Sequence, residues 1–170
     1  MTLTTPPAWV LAIVFWLHML ATVVWIGSLV AISVLVLPAS TRTLKLADQV
    51  AFIAAVQKRL EPIAWFSIAL LIVTGLIQLS TSPHYDGFLS LSTQWSLAML
   101  TKHILVAILI VCSAIQTWEV LPAIHRILLK KNKADAEQLA RLNRRETRLL
   151  RINLVLAALI LLVTAIARVS

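Results

Sequence analysis

The stretch AWVLAIVFWLHMLATVVWIGSLVAISVLVLP, residues 8–38, decides the fold of this chain. It holds thirty-one residues, and His18 is its one ionisable side chain. Because a helix rises 1.5 Å per residue, the stretch reaches roughly 46 Å and exceeds the ~30 Å hydrocarbon core of a bilayer. We therefore expect a transmembrane helix. The run is too long for the apolar region of a signal peptide, which predicts that the mature protein keeps it.

His18 lies near the middle of this helix and is its most informative residue. An imidazole exposed to lipid is costly, so we expect it to face other helices and to have a polar partner there. Thr22 and Trp25 follow it at helical spacing, and Gly27 comes next. A functional site inside the membrane is therefore expected around His18.

The composition excludes a soluble domain. Of the 170 residues, 60% are hydrophobic and only 13% are charged, which is too few charges to cover a globular surface. The net charge of +8 does not indicate nucleic-acid binding, because the basic residues cluster beside the apolar runs. There they are typical of topology signals and of contacts with anionic lipid. The single cysteine, Cys112, excludes a disulfide framework or a thiolate cluster.

Further apolar runs predict transmembrane spans at about residues 63–79, 95–118 and 149–167. With residues 8–38 they predict an all-α fold, a four-helix transmembrane bundle that forms one integral membrane domain over residues 1–170. Between the first two spans, residues 39–60 combine apolar positions at helical spacing with four Lys or Arg side chains. This pattern predicts a short amphipathic cytoplasmic helix that leads into the second span.

The distribution of basic residues predicts the orientation. The connections at residues 39–61 and 119–151 hold 13 Lys or Arg, whereas the N-terminal segment and residues 80–94 hold none. The positive-inside rule then places both basic connections in the cytoplasm and both termini outside. The expected partners are the bilayer and its anionic lipids, and no nucleic acid. A bundle of four helices has little interior, which is compatible with a homodimer or a larger membrane complex.

Two histidines fall in adjoining layers of this bundle. Counted from the outer side, His18 lies roughly 14 Å deep and His103 roughly 9–12 Å deep. Met99 is one helical turn from His103 on the same face. Gly75 falls near this layer and would leave room for a flat or bulky group. We take His18, His103, Gly75 and Trp25 as candidate cofactor-binding residues, and His18, His103 and Met99 as candidate metal ligands.

Two chemistries and one structural role remain open for this pair. Copper accepts imidazole and thioether ligands, so His18, His103 and Met99 would suit a Cu(I) site. Haem b would instead use His18 and His103 as axial ligands on either face of the ring. In the third interpretation the histidines only hydrogen-bond across helix interfaces in a non-catalytic subunit. No catalytic residue is predicted. The pattern favours a protein that is not an enzyme; an enzyme of this kind would be a haem-dependent membrane oxidoreductase.

The same stretches resemble a known family. LH at 17–18, WIG at 25–27 and LP at 37–38 resemble the first-helix pattern LH…WxGG…LP of the copper resistance protein D (CopD) family of bacterial membrane proteins. LLIVTG at 70–75 looks like the end of that family's next helix, and MLTKHILV at 99–106 is similar to the following one. The likeness spans roughly residues 15–115, with Ser28 in place of the second glycine of the first motif.

The resemblance implies a multi-pass protein of the bacterial inner membrane that acts in copper uptake or tolerance. A related pattern, an intramembrane Leu-His together with a lysine on the third helix, also looks like the HemJ-type protoporphyrinogen oxidases, which carry haem. The Pro-Arg pair that follows the first helix in those proteins is absent, because Ala39 follows Pro38.

Overall fold

The computed structural model describes residues 6–82, 93–130 and 136–169, and every regular element in these ranges is a helix. In chain order the elements are α1 (Ala8–Val30), a first π-helical segment (Ala31–Val36), α2 (Leu37–Thr43), α3 (Leu46–Ser80), α4 (Gln94–Ile115), a second π-helical segment (Gln116–Val120), α5 (Leu121–Lys130) and α6 (Ala136–Val169). Most of the predicted 80–94 loop lies outside the described residues.

These elements join into four continuous rods that are long and apolar enough to cross a membrane, Ala8–Thr43, Leu46–Ser80, Gln94–Leu129 and Ala136–Arg168. The predicted all-α four-helix transmembrane bundle is confirmed. The amphipathic segment before the second span is helical as well. Residues 39–43 of this segment end α2, and residues 46–60 form the first turns of α3 rather than a separate helix, with Val50, Ile53 and Ala54 towards the bundle.

Both π-helical segments end just before a Leu-Pro pair. Leu37 and Pro38 follow the first segment, and Leu121 and Pro122 follow the second. Proline lacks an N–H, and its ring clashes with the carbonyl four residues earlier in an α-helix. A π-helical turn shifts the pairing to the fifth residue, so the rod continues through each proline. The second segment also buries Gln116, which is 8% exposed, inside the bundle.

The rods pack in pairs, α1 along α3 and α4 along α6. A central core joins all four rods through Trp25, Ile68, Leu109, Ala157 and Ile160. A second apolar cluster lies at the end that holds the α2–α3 turn and α5, which we call the basic end. Its members are Val50, Ala54, Val120, Leu121, Ile124 and Leu139. Buried polar side chains lie on both sides of the central core, and they form the two candidate centres of the molecule.

Candidate functional site

The first centre is built around His18 of α1, on the side of the central core away from the basic end. His18 Nδ1 lies 2.8 Å from Thr74 Oγ1 of α3. The Thr74 hydroxyl in turn donates to the Leu70 carbonyl oxygen at 2.6 Å. A hydroxyl has one hydrogen, so Thr74 Oγ1 must accept from His18 Nδ1–H. This selects the Nδ1–H tautomer and leaves the lone pair of the neutral ring on Nε2.

Gly75 borders the His18 ring, and Lys102 influences it from a greater distance. A Cβ added to Gly75 would lie 3.5 Å from His18 Cε1, an ordinary van der Waals contact. The edge of the His18 imidazole therefore borders Gly75. Lys102 of α4 is half-buried and lies within electrostatic range of His18. We call His18, Thr74, Gly75 and Lys102 the His18 site.

The other candidates take different places. His103 is half-buried on α4, and its Nδ1 donates to the Met99 carbonyl oxygen of its own helix at 2.6 Å. Met99 is half-buried on the same helix. Trp25 is 6% exposed and belongs to the central core, about two helical turns from His18. The structure thus sets His18 against Thr74 and Gly75 and places Trp25 in the apolar layer beyond them.

His18 offers one nitrogen donor, Nε2, and the imidazole of His103 and the thioether of Met99 lie on α4. Within residues 6–82, 93–130 and 136–169, no group of three or more His, Cys, Asp or Glu side chains could hold a metal ion. An imidazole whose Nδ1–H is held by a fixed acceptor is nevertheless the usual arrangement of a metal-binding histidine. Imidazole and thioether, the donor types of His18, His103 and Met99, are groups that Cu(I) accepts.

The second centre was missed by sequence reasoning and lies between the central core and the basic-end cluster. Glu146 of α6 is 2% exposed, and its Oε1 accepts hydrogen bonds from Gln57 Nε2 of α3 and, at 2.8 Å, from Gln116 Nε2. Asn153 of α6 donates from Nδ2 to Gln116 Oε1 and to Ser113 Oγ, both at 3.3 Å. We call Gln57, Ser113, Gln116, Glu146 and Asn153 the Glu146 network.

A sequence signal for this network exists in the spacing of α6. Glu146 and Asn153 are seven residues apart and therefore lie on one helix face. Leu139, Leu142 and Leu149 share that face, which marks it as the buried side. A carboxylate and an amide on an apolar face indicate an internal polar contact rather than a solvated surface.

A cavity of about 80 Å³ lies beside the network, between the rods. Gln57, Gln116 and Asn153 line it, together with Glu61 and the rings of Trp25 and Trp65. Along α3, seventeen residues separate Gln57 from Thr74, so the Glu146 network and the His18 site are roughly 25 Å apart. The near wall of the cavity, at Trp25, is about two helical turns from His18. The two centres are separate.

Comparison with known proteins gives one match. The family described as copper resistance protein D (CopD) matches residues 54–167, about two thirds of the chain. The matched residues include Thr74, Gly75, Met99, Lys102, His103 and the whole Glu146 network, while His18 precedes them. No curated protein and no solved structure matched the chain. With two thirds of its length matched, this multi-pass membrane protein belongs to the copper resistance protein D (CopD) family.

Proposed function

We propose that this protein handles copper in the bacterial inner membrane, in uptake or tolerance, and that it binds Cu(I) through Nε2 of His18. His103 and Met99 of α4 are the further ligands. The observation that carries the proposal is the hydrogen bond from His18 Nδ1 to Thr74, at 2.8 Å. It orients the ring and leaves the donor nitrogen available for the ion.

The surroundings of His18 support copper as the cargo. A half-buried imidazole on a transmembrane rod is energetically costly, and such residues usually have a function. The hydrogen bond to Thr74 satisfies only one of its two ring nitrogens. Soft cations such as Cu(I) take imidazole and thioether donors readily. Membership of the copper resistance protein D family supports the same cargo.

The orientation we propose follows the charges. The basic end carries the α2–α3 turn and α5, and the flanking segments hold most of the 15 Lys and Arg residues. The positive-inside rule directs this end to the cytoplasm, so both termini and the His18 site lie towards the outer side. Copper would then meet His18 from outside. The basic end would contact anionic lipid of the inner leaflet.

The test is Cu(I) binding by the purified protein in detergent micelles, measured by competition with a chromophoric Cu(I) chelator. We expect one Cu(I) per chain, and at least a tenfold loss of affinity in His18→Phe, in His103→Phe and in Met99→Leu. His125→Phe is the matched control, because His125 is a half-buried histidine on α5 at the basic end. It should bind copper as the unaltered protein does.

An absorption spectrum of the same samples separates the rival interpretations. A Soret band that shifts on reduction, and that disappears in His18→Phe and His103→Phe, would replace copper with haem b. Unchanged copper binding in His18→Phe would refute the proposed ligand. A protein that binds neither copper nor haem, and folds normally in His18→Phe, would leave His18 with a packing role only.

A further inference from the structure

We propose that the Glu146 network and its cavity form a second binding site, which takes one small hard monovalent cation, Na⁺, together with coordinated water. This site is independent of the copper proposal. It lies at the opposite side of the central core from His18 and uses oxygen donors only.

The first argument is the set of unsatisfied acceptors. Glu146 Oε2, Gln57 Oε1 and Asn153 Oδ1 are buried and accept no hydrogen bond from any described part of the protein. Their residues are 2%, 5% and 1% exposed. A buried polar atom without a partner is costly, and native proteins leave only a few per hundred residues. Here three such atoms lie in one connected network, and all three are oxygens. They indicate an occupant that attracts oxygen lone pairs.

The amide orientations are fixed by the network itself. If the Gln57 amide were reversed, its oxygen would face Glu146 Oε1, and two acceptors would meet. A reversed Asn153 amide would set its oxygen against Gln116 Oε1 in the same way. The orphaned amide oxygens therefore follow from the contacts around them and belong to residues that line the cavity.

The second argument is charge. Glu146 is a buried carboxylate that receives two amide donors, and neither ion pair of the described residues involves it. Its chain neighbour Arg145 points elsewhere and pairs with Glu119 at the surface, at 2.6 Å. If this carboxylate is ionised, its buried charge has no opposite charge beside it, which is strongly unfavourable. One monovalent cation would balance the charge of Glu146, whose hydrogen-bond partners Gln57 and Gln116 line the cavity.

The third argument is the size and chemistry of the space. A water needs roughly 10–15 Å³ of such volume, so the cavity of about 80 Å³ holds an ion with a few waters. It is too small for a porphyrin or a drug-sized ligand, whose clefts measure about 300–1,000 Å³. Carboxylate, amide and hydroxyl oxygens suit a hard cation, whereas copper prefers nitrogen and sulfur. Na⁺ fits both the volume of the cavity and its oxygen donors.

The test is equilibrium binding of ²²Na⁺ to the purified protein in detergent micelles, in a choline-based buffer. We expect one Na⁺ per chain, displaced by Li⁺ and not by choline. Glu146→Gln and Asn153→Leu should each lower Na⁺ affinity at least tenfold. Glu119→Gln removes an exposed carboxylate near the same end and is the control that should bind normally. His18→Phe should also bind normally, which separates this proposal from the copper site.

A second measurement keeps the proposal testable if a variant folds poorly. Because Na⁺ would bind only the folded protein, it should raise the thermal midpoint of the unaltered chain with the logarithm of its concentration above Kd, and K⁺ should do so less. Absence of this shift would overturn the proposal, as would equal Na⁺ binding in a folded Glu146→Gln. An infrared band of a neutral carboxylic acid that Glu146→Gln removes, and that persists at saturating Na⁺, would also overturn it by placing a proton there.

Discussion

The His18 site and the Glu146 network are both polar centres inside the bundle, yet they are built in opposite ways. At His18 one hydrogen bond crosses between rods, and the second ring nitrogen is left for another partner. In the Glu146 network, side chains from three rods converge. The amide nitrogens of Gln57, Gln116 and Asn153 each donate to an acceptor within the bundle. The comparison indicates that Glu146 holds the rods together in addition to any ion that it binds, whereas His18 contributes mainly to binding.

Replacing Glu146 by leucine should have the largest effect on stability. The change leaves the amide donors of Gln57 and Gln116 without an acceptor, and each buried donor without a partner costs about 1–3 kcal/mol. We expect a loss of about 2–6 kcal/mol in the free energy of unfolding, measured by SDS titration in mixed micelles. Glu146→Gln should lose less, because its amide oxygen still accepts hydrogen bonds. A loss below about 0.5 kcal/mol for leucine, the range of ordinary surface changes, would contradict the comparison.

Leu109→Ala should come next, because Leu109 lies in the central core between the two centres and is 0% exposed. Removing buried leucine atoms leaves a cavity and costs about 2–5 kcal/mol. Val111→Ala on the same helix is the control, since Val111 is 58% exposed in the bundle and faces outwards. Neither change should alter the affinity for Cu(I). A loss of copper binding in a folded Leu109→Ala would show that the central core does not isolate the His18 site.

Thr74→Val should separate function from stability at the His18 site. It removes one interhelical hydrogen bond, which is worth about 0.6 kcal/mol on average in a membrane protein. It also removes the acceptor that fixes the imidazole tautomer, and losing such a partner typically lowers metal affinity 10–100-fold. The ¹⁵N shifts of the ring should then report a mixture of tautomers. Thr74→Ser keeps the hydroxyl and should restore both properties; if valine binds copper normally, Thr74 does not position His18.

The fold could be predicted because an apolar run of membrane-spanning length can hardly form anything but a transmembrane helix. The four rods follow from those runs, and the importance of His18 follows from its being the one ionisable group in residues 8–38. The partner of His18 could not be predicted, because Thr74 is 56 residues away and a helix offers many hydroxyls. Which hydroxyl it meets depends on how α1 and α3 pack along their length.

The Glu146 network shows the limit of reasoning from local sequence. Glu146 lies in a segment of nine Lys or Arg, residues 126–151, where an acidic residue looks like part of a solvated surface. Its partner Gln57 is 89 residues away in the chain, and Gln116 reaches it from a π-helical segment. Only the assembled rods bring these side chains together. The seven-residue spacing to Asn153 marks the buried face of α6, but it does not say what that face meets.

Gly75→Ala should have the smallest effect, and it tests what occupies the space beside His18. The added methyl group would lie 3.5 Å from His18 Cε1, so the ring need not move. Alanine also favours a helix over glycine by up to about 1 kcal/mol, and we expect stability to be unchanged or slightly higher. Copper affinity should stay within about threefold, because Nε2 is not obstructed. Gly75→Leu, whose longer side chain would displace the imidazole, should weaken copper binding. If Gly75→Ala abolished a bound cofactor instead, a flat group would have to lie against Gly75, and the site would be one for haem.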